Sequence, residues 1–344
     1  MPIWTLQNLT LHGTDRPRLY DVSVRINEGV TALVGYSGAG KSSLLSILAG
    51  MERPDAGTIE TGDRTATGEQ RSAETFPPDS PNAEPPEHAL PLFWAPETGG
   101  LWPHLTARQH LEAVHPASPG AEPGSDRGQS LVAVADSIDN LLAEFDLTDR
   151  QQAFPEQLSQ GEQSRLSIVR ALAARAAVLL FDEPLAHVDP AGRPKYWDAI
   201  RRHLTESRMS LVFATHEPDT VLREAREVIC LNEGQVVYQG SVAQLYDSPP
   251  NENAASFLGP VNWFEAGESS VWLNQREQRS LRPERIALVN DDCSPIEVVA
   301  SHFCGACAET QLRHPEQGDR TVFHRPASAD LQAGRHVRIE LRGE

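Results

Sequence analysis

Eight residues, Gly35-Tyr36-Ser37-Gly38-Ala39-Gly40-Lys41-Ser42, follow the spacing G-x-x-x-x-G-K-S, the pattern of a loop that cradles phosphates. Glycines let backbone N–H groups curl around β- and γ-phosphate oxygens, and a helix starting there adds partial positive charge. Lys41 reaches the same oxygens, the Ser42 hydroxyl helps hold Mg²⁺, and Ser43 completes the phosphate-facing set. A second stretch with chemical content is Val178-Leu179-Leu180-Phe181-Asp182-Glu183. Its apolar residues predict a buried strand that delivers Asp182 to the metal, with Glu183 next in line to orient or deprotonate an attacking water.

These groups need a scaffold that brings them to one place. Val30–Val34 is a short β-rich run before the loop, and 43–50 is a helical stretch ending in Gly50, so the loop sits between strand and helix as its chemistry requires. Strands are expected at 3–11, 22–28, 58–60, 90–95, 177–181, 210–214, 226–231 and 235–238. Helices are expected at 107–114, where Thr106 is the cap, and at 131–145, 161–175, 193–206 and from Thr215-His216-Glu217-Pro218 onward. This alternation implies an α/β fold with a largely parallel sheet core, an antiparallel β edge and a helical subdomain. Two Pro-rich, acidic or Gly/Ser-rich stretches, about 61–89 and 116–130, interrupt it and read as flexible insertions. Beyond residue 248 the rhythm changes. Short strands at 269–273, 284–289, 296–302, 308–313, 320–324 and 335–341 predict a small all-β domain over 249–344. No internal repeat is visible.

Composition narrows the partners. With 39% hydrophobic and 23% charged residues over 344 positions, the chain reads as a soluble globular protein of two domains. Its net charge is −18, from 30 basic and 48 acidic residues. That argues against nucleic acid and against a basic membrane-binding patch, so any membrane association must run through a protein partner. No apolar run approaches the ~18 residues of a membrane span, and no signal-peptide pattern opens the chain, which predicts a cytoplasmic protein. Four cysteines do not suggest a disulfide scaffold. Cys304-Gly305-Ala306-Cys307 is a C-x-x-C segment with Cys293, His302 and His314 nearby, but the spacing fits no zinc pattern. The expectation is small buried cysteines, with redox or metal roles as the alternatives.

A third element decides between families. Leu158-Ser159-Gln160-Gly161-Glu162-Gln163 opens the 161–175 helix with Ser159 as N-cap. With it, the chain resembles the nucleotide-binding subunit of ATP-binding cassette (ABC) transporters. Their signature loop usually reads L-S-G-G-Q; here Gln160 and Glu162 depart from it, while Leu158, Ser159 and Gly161 match. The resemblance implies that Ser159 and Gly161 touch the γ-phosphate of a nucleotide held by a second subunit. It also makes Leu185–Asp189 the D-loop, with Asp189 its acidic residue, and His216 the switch histidine at the γ-phosphate. Four residues before Leu101-Trp102-Pro103-His104-Leu105-Thr106 the family has a glutamine that ligates Mg²⁺ and links the site to the membrane partner. This chain has Glu97 there. A carboxylate coordinates Mg²⁺ but adds negative charge and donates no amide hydrogen. For the aromatic residue that stacks on adenine, His12 and Tyr20 are both candidates.

The resemblance extends past the cassette. Gln239-Gly240-Ser241, Leu245-Tyr246, Pro249-Pro250 and Phe257-Leu258-Gly259, followed by Leu281-Arg282-Pro283-Glu284-Arg285-Ile286, resemble bacterial importers of molybdate, sulfate, iron, polyamines and sugars. Those end in a β-domain called TOBE, of OB-like type. The implied assembly is a homodimer of Mg-dependent ATPase subunits on the inner face of the cell membrane, bound to two permease subunits and served by an extracytoplasmic solute-binding protein. ATP and Mg²⁺ are the implied cofactors. Wording around Gly29–Gly35 leans toward an inorganic anion such as molybdate. The alternative is a nucleotide-binding regulatory module with weak hydrolysis, motivated by Glu97, Gln160 and Glu162. A soluble ABC ATPase of translation or repair would carry two cassettes or a coiled-coil insertion, and a P-loop kinase would not need the signature segment.

Overall fold

The computed structural model describes residues 1–14, 16–62, 74–76, 92–116, 127–326 and 331–342. Most of the two insertions expected from the sequence therefore lies outside the described residues. The chain forms two compact units, Met1–Val242 and Ala243–Glu344.

In the first unit the elements run β1 (Pro2–Leu11), β2 (Leu19–Asn27), β3 (Val30–Val34), α1 (Lys41–Leu48), β4 (Ala56–Thr61), β5 (Glu74–Phe76), β6 (Leu92–Ala95), α2 (Ala107–Val114), α3 (Arg127–Glu144), α4 (Gln160–Ala173), β7 (Val178–Asp182), α5 (Arg193–Glu206), β8 (Ser210–Thr215), α6 (Pro218–Glu224), β9 (Glu227–Asn232) and β10 (Gln235–Ser241). One sheet has the order β10-β9-β3-β8-β7-β6, and the other β2-β1-β4-β5. In the first, β9, β3, β8, β7 and β6 are parallel and only β10 is antiparallel. The second is antiparallel throughout. The short strand β5, inside the first insertion, was not expected from the sequence.

The strand residues explain this division. β7 and β8 are buried along their whole length, as strands covered on both faces must be. β2 alternates, with Val22, Val24 and Ile26 buried and Ser23 and Arg25 exposed, as in a sheet with one wet face. Leu44, Leu45, Ile47 and Leu48 of α1 join the inner residues of both sheets in one apolar cluster. Across the helical segment, α2 starts at Thr106 with a capping box, its side chain accepting from Gln109 N–H while the Gln109 side chain accepts from Thr106 N–H.

Register then does the positioning. Val34 pairs with Thr215, Asp182 with Ala214, and Ala95 with Phe181. The carboxyl ends of β3, β8, β7 and β6 thus lie side by side. The residues just beyond them are the glycine-rich loop, His216, Glu183 and Glu97. This is the edge where ligands bind in parallel α/β sheets.

The second unit continues from α7 (Val242–Asp247) with α8 (Glu252–Ser256), β11 (Asn262–Phe264), α9 (Ala266–Trp272), β12 (Arg279–Leu281), β13 (Ile286–Asn290), β14 (Glu297–Phe303), β15 (Ala308–His314), β16 (Gly318–His324) and β17 (Val337–Leu341). Its strands form three small antiparallel sheets, β11-β12, β13-β17 and β14-β15-β16, around Phe264, Trp272, Ile286, Leu312, Val322 and Val337. It is consistent with the OB-like β fold, with two corrections. The expected strand at 269–273 is instead part of helix α9, because Glu265 and Glu268 form a capping box and the turn buries Ser269 and Trp272. Cys304 is exposed and Cys307 half-buried rather than both buried. They flank a two-residue turn at the tip of the β14–β15 hairpin, where Gly305 has φ +83° and Cys304 N–H donates to Cys307 O at 2.9 Å.

Arg282 organises this unit. It is 5% exposed and donates to the carbonyls of Tyr246, Gly259, Pro260 and Ala255. Its guanidinium carbon stacks 4.3 Å from the Tyr246 ring centroid. A cation is tolerated there because five fixed donors meet carbonyl acceptors on several sides. Burial nonetheless pulls its pKa down from the usual arginine range.

Candidate functional site

The glycine-rich loop is shaped by backbone crowding. Gly40 has φ +102°, and a Cβ there would stand 2.7 Å from Arg18 O and 2.8 Å from Leu19 Cδ2. A Cβ on Gly35 would meet Leu231 O at 2.4 Å. Only glycine fits either position. Among the described residues no side chain caps α1; the first N–H groups of such a helix can bind an anion. Lys41 is buried, and its Nζ donates to Gly35 O at 2.8 Å and reaches Tyr36 O at 3.4 Å. The ammonium is thereby held along the inside of the loop formed by Gly35, Tyr36, Ser37, Gly38, Ala39 and Gly40. Ser43 Oγ accepts from Arg18 Nε at 3.1 Å, and Arg18 pairs with Glu52 at 2.6 Å.

Ser42 is hydrogen-bonded to the Asp182 carboxylate across the strand ends. Burial raises the Asp182 pKa, the Ser42 bond opposes that rise, and the charges of Glu97 and Glu183 add to it. Glu97, Gly99, Ser164, Asp182 and Glu183 line one small pocket. The donor set of Ser42, Asp182 and Glu97 is all oxygen, and its carboxylates repel one another, which suits a hard divalent cation such as Mg²⁺. Among the described residues no three His, Cys, Asp or Glu side chains form a metal cage on their own.

Glu183 stands at φ +48°, its N–H bonded to Ala214 O at 2.9 Å. Its carboxylate accepts from Thr215 Oγ1 at 3.2 Å and from His216 Nδ1 at 2.9 Å. The histidine is 65% exposed and the carboxylate 12%, so the pair has its back in the protein and one ring edge toward solvent. A carboxylate oriented this way, one residue past Asp182 at the end of β7, can take a proton from water. Thr215 and its hold on Glu183 were not foreseen from the sequence, although its place before His216 was the available signal.

The signature segment lies at the start of α4. Ser159 Oγ accepts from Glu162 N–H at 3.3 Å, and Glu162 Oε2 accepts from Ser159 N–H at 2.8 Å. Gly161 packs on the D-loop of the same chain, where a Cβ would stand 3.0 Å from His187 O. Leu158 is buried, and Gln163 Nε2 ties the preceding turn by donating to Pro155 O and Leu158 O. Gln160 is exposed at the first turn. In the D-loop, Asp189 Oδ1 accepts from Ala191 N–H. Arg193, also unforeseen, donates to Ala186 O and Val188 O and pairs with Glu217. It therefore ties the D-loop to the residue after His216.

Further unforeseen contacts hold the turn that follows Glu97. Arg170 on α4 donates to Gly100 O at 2.6 Å and Gly99 O at 3.1 Å, and Ser167 Oγ donates to Gly99 O at 2.9 Å. The Arg170 guanidinium stacks on Trp102 and Phe93, at 4.8 and 5.3 Å from the ring centroids. Burial lowers its pKa to about 10. Trp102 also stacks on His110, whose pKa burial pushes down. His12 and Tyr20 are both exposed. The His12 backbone N–H is fixed by Asp55 at 2.6 Å and that of Tyr20 by Gly234 O at 2.8 Å. Arg16 in the same hairpin brings Nη2 to 3.6 Å from where a Cβ on Gly38 would be.

A glycine-rich phosphate loop, a strand-end Asp-Glu pair and a strand-end His on one parallel sheet edge define a nucleotide-triphosphate-binding α/β protein. The sequence model of the ABC transporter family matches residues 19–186. The sulfate/thiosulfate import ATP-binding protein CysA of Synechococcus elongatus is 31% identical over 325 residues, covering 91% of this chain and 86% of the relative. The Fe(3+) ions import ATP-binding protein FbpC of Pseudomonas fluorescens is 29% identical over 334 residues, 91% of this chain and 89% of the relative. The fold matches the ATP-binding cassette MJ0796, solved as a dimer in a post-hydrolysis state with ADP and Pi, at a TM-score of 0.54 and 22% identity, covering 70% of this chain and 98% of that one. The chain belongs to the ATP-binding family of ABC transporters, and the resemblance and fold class read from the sequence both hold.

Proposed function

We propose that this chain is the ATP-hydrolysing subunit of an ABC importer. Two copies close on ATP and drive two permease subunits, with a solute-binding protein on the far side. The observation that carries the reading is the Glu183 carboxylate, held by Thr215 and His216 one residue beyond Asp182, which is itself bonded to Ser42 of the phosphate loop. In this reading Lys41 and the loop N–H groups bind the β- and γ-phosphates. Ser42, Asp182 and Glu97 would hold Mg²⁺, which supplies charge neutralisation at the phosphate oxygens. Glu183 takes the proton of the attacking water, and His216 orients it and faces the γ-phosphate. Ser159 and Gly161 approach the γ-phosphate of the partner copy, and His12 or Tyr20 stacks on adenine.

The second unit is the TOBE-like domain in this proposal, beginning near residue 249, and the assembly works peripherally at the cytoplasmic face of the membrane. Among the described residues no helix is long and apolar enough to cross one; in this proposal the membrane link runs through the permease. Relatives named for iron and for sulfate or thiosulfate import support an inorganic ion as cargo. An oxyanion such as molybdate is our assignment, tested by solute-stimulated hydrolysis in the reconstituted importer. The core of the reading is tested by Glu183→Gln. General-base removal should cost about 10²–10⁴ in hydrolysis rate while ATP still binds. Hydrolysis within tenfold of the parent chain would refute the assignment. The regulatory-module reading has no structural observation of its own in its favour.

A further inference from the structure

The signature segment carries a carboxylate at Glu162, where the family pattern has an amide. Glu162 sits in the first turn of α4, three residues past the cap Ser159. There its charge favours the helix but opposes an incoming phosphate. The structure shows what answers that charge. Arg150, at the end of the 3-10 turn Thr148–Arg150, donates from Nε to Glu162 Oε1 at 3.0 Å. The other carboxylate oxygen accepts Ser159 N–H at 2.8 Å. Glu162 is 16% exposed and Arg150 55% exposed in their side chains, so the cation lies outermost, on the solvent side of the pair. The Glu162 pKa is depressed, first by the Ser159 backbone bond and further by the Ser159 hydroxyl and Arg150, which keeps the carboxylate charged at neutral pH. Ser159 Oγ spends one lone pair on Glu162 N–H, and its O–H remains the donor that a γ-phosphate oxygen would need.

We propose that Arg150 is a positioning residue of the signature segment. It neutralises Glu162 and fixes it in the capping box, so that the start of α4 can receive the triphosphate end of ATP bound to a second copy of the chain. The inference rests on the proposed function, because it requires nucleotide to reach Ser159 across a dimer. Gln160 does not share this role, having no charge to offset.

The test is a four-variant cycle on the full chain: parent, Arg150→Ala, Glu162→Gln and the double variant, each assayed for Mg-ATP hydrolysis. In the parent background Arg150→Ala raises KM for ATP roughly two- to fivefold, the range of a partly exposed charge interaction, with less change in kcat. In the Glu162→Gln background the same substitution has no effect on KM. The rise shrinks between about 0.1 M and about 1 M salt, over which the screening length falls from ~10 to ~3 Å. Arg150→Lys retains most of the parent KM and guards against a folding artefact. An equal KM rise in both backgrounds, or none in the parent, overturns the proposal. A parent chain that binds ATP but never hydrolyses it, alone or with its permease, would sink the proposed function first and this inference with it.

Discussion

Replacing Arg170 by Ala tests how the turn after Glu97 is held. Arg170 is 3% exposed and makes two hydrogen bonds to Gly99 O and Gly100 O and two ring contacts. Hydrogen bonds from a charged donor contribute about 1.5–3 kcal/mol each, and each cation–π contact about 0.5–2 kcal/mol. Removing the side chain also relieves a buried cation whose pKa burial has lowered to about 10, so much of that gross total cancels. A net loss of about 2–4 kcal/mol remains, in the range of broken buried networks. At ~2–4 °C per kcal/mol for a unit of this size, the melting temperature should fall by roughly 4–16 °C. Hydrolysis should weaken as well, through a higher KM for Mg-ATP, because Gly99 and Gly100 have left-handed backbones, φ +76° and +54°, and no longer hold the turn that carries Glu97. Arg170→Met, which keeps bulk and ring contact, should lie between parent and Ala. Differential scanning calorimetry and steady-state kinetics on the same preparations decide the matter. A melting temperature within 2 °C of the parent, with unchanged KM, would mean that the turn holds itself and that the reasoning is wrong.

Gly40→Ala should abolish tight ATP binding in a filter or fluorescence assay. The left-handed backbone alone costs about 1–2 kcal/mol, and the new Cβ would overlap Arg18 O at 2.7 Å. Glu162 has a depressed pKa in the folded chain. Its contribution is therefore full above the unfolded value of about 4.3 and is lost as pH falls through the lower folded value. The stability gap between the parent and Glu162→Gln should be flat from pH 7 to pH 5 and close below that range, as read by melting temperature against pH. Arg282→Ala removes the donor to four carbonyls of the second unit. It should cost about 2–4 kcal/mol, seen as early hydrogen exchange at Ala255 through Gly259 and little change in ATP affinity.

The features legible in the sequence are those whose physics is local. The spacing Gly35 to Ser42 encodes a backbone path that needs positive φ at Gly38 and Gly40, and both have it. An all-apolar run before Asp182 encodes a strand wet on neither face, and β7 is buried throughout. Thr106 and Ser159 encode helix starts, and both are caps in the structure. The run Val271-Trp272-Leu273 reads as a strand from its apolar residues, but a short apolar stretch serves a helix equally. The Glu265–Glu268 capping box and the burial of Trp272 made it a helix.

Contacts between distant segments are another matter. No spacing in the chain announces that Thr215 and His216 would close on Glu183, 32 and 33 residues earlier. That follows from β7 and β8 being parallel neighbours in the register Asp182 to Ala214. Likewise Arg170 finds Gly99 and Gly100, and Arg193 finds Glu217, because helix packing brings them together. The sequence alone determined which groups we propose for holding phosphate and metal, since each motif depends on a few consecutive residues. Only the tertiary structure decided which of them touch, since strand order and helix packing minimise the free energy of the whole fold rather than of any one segment.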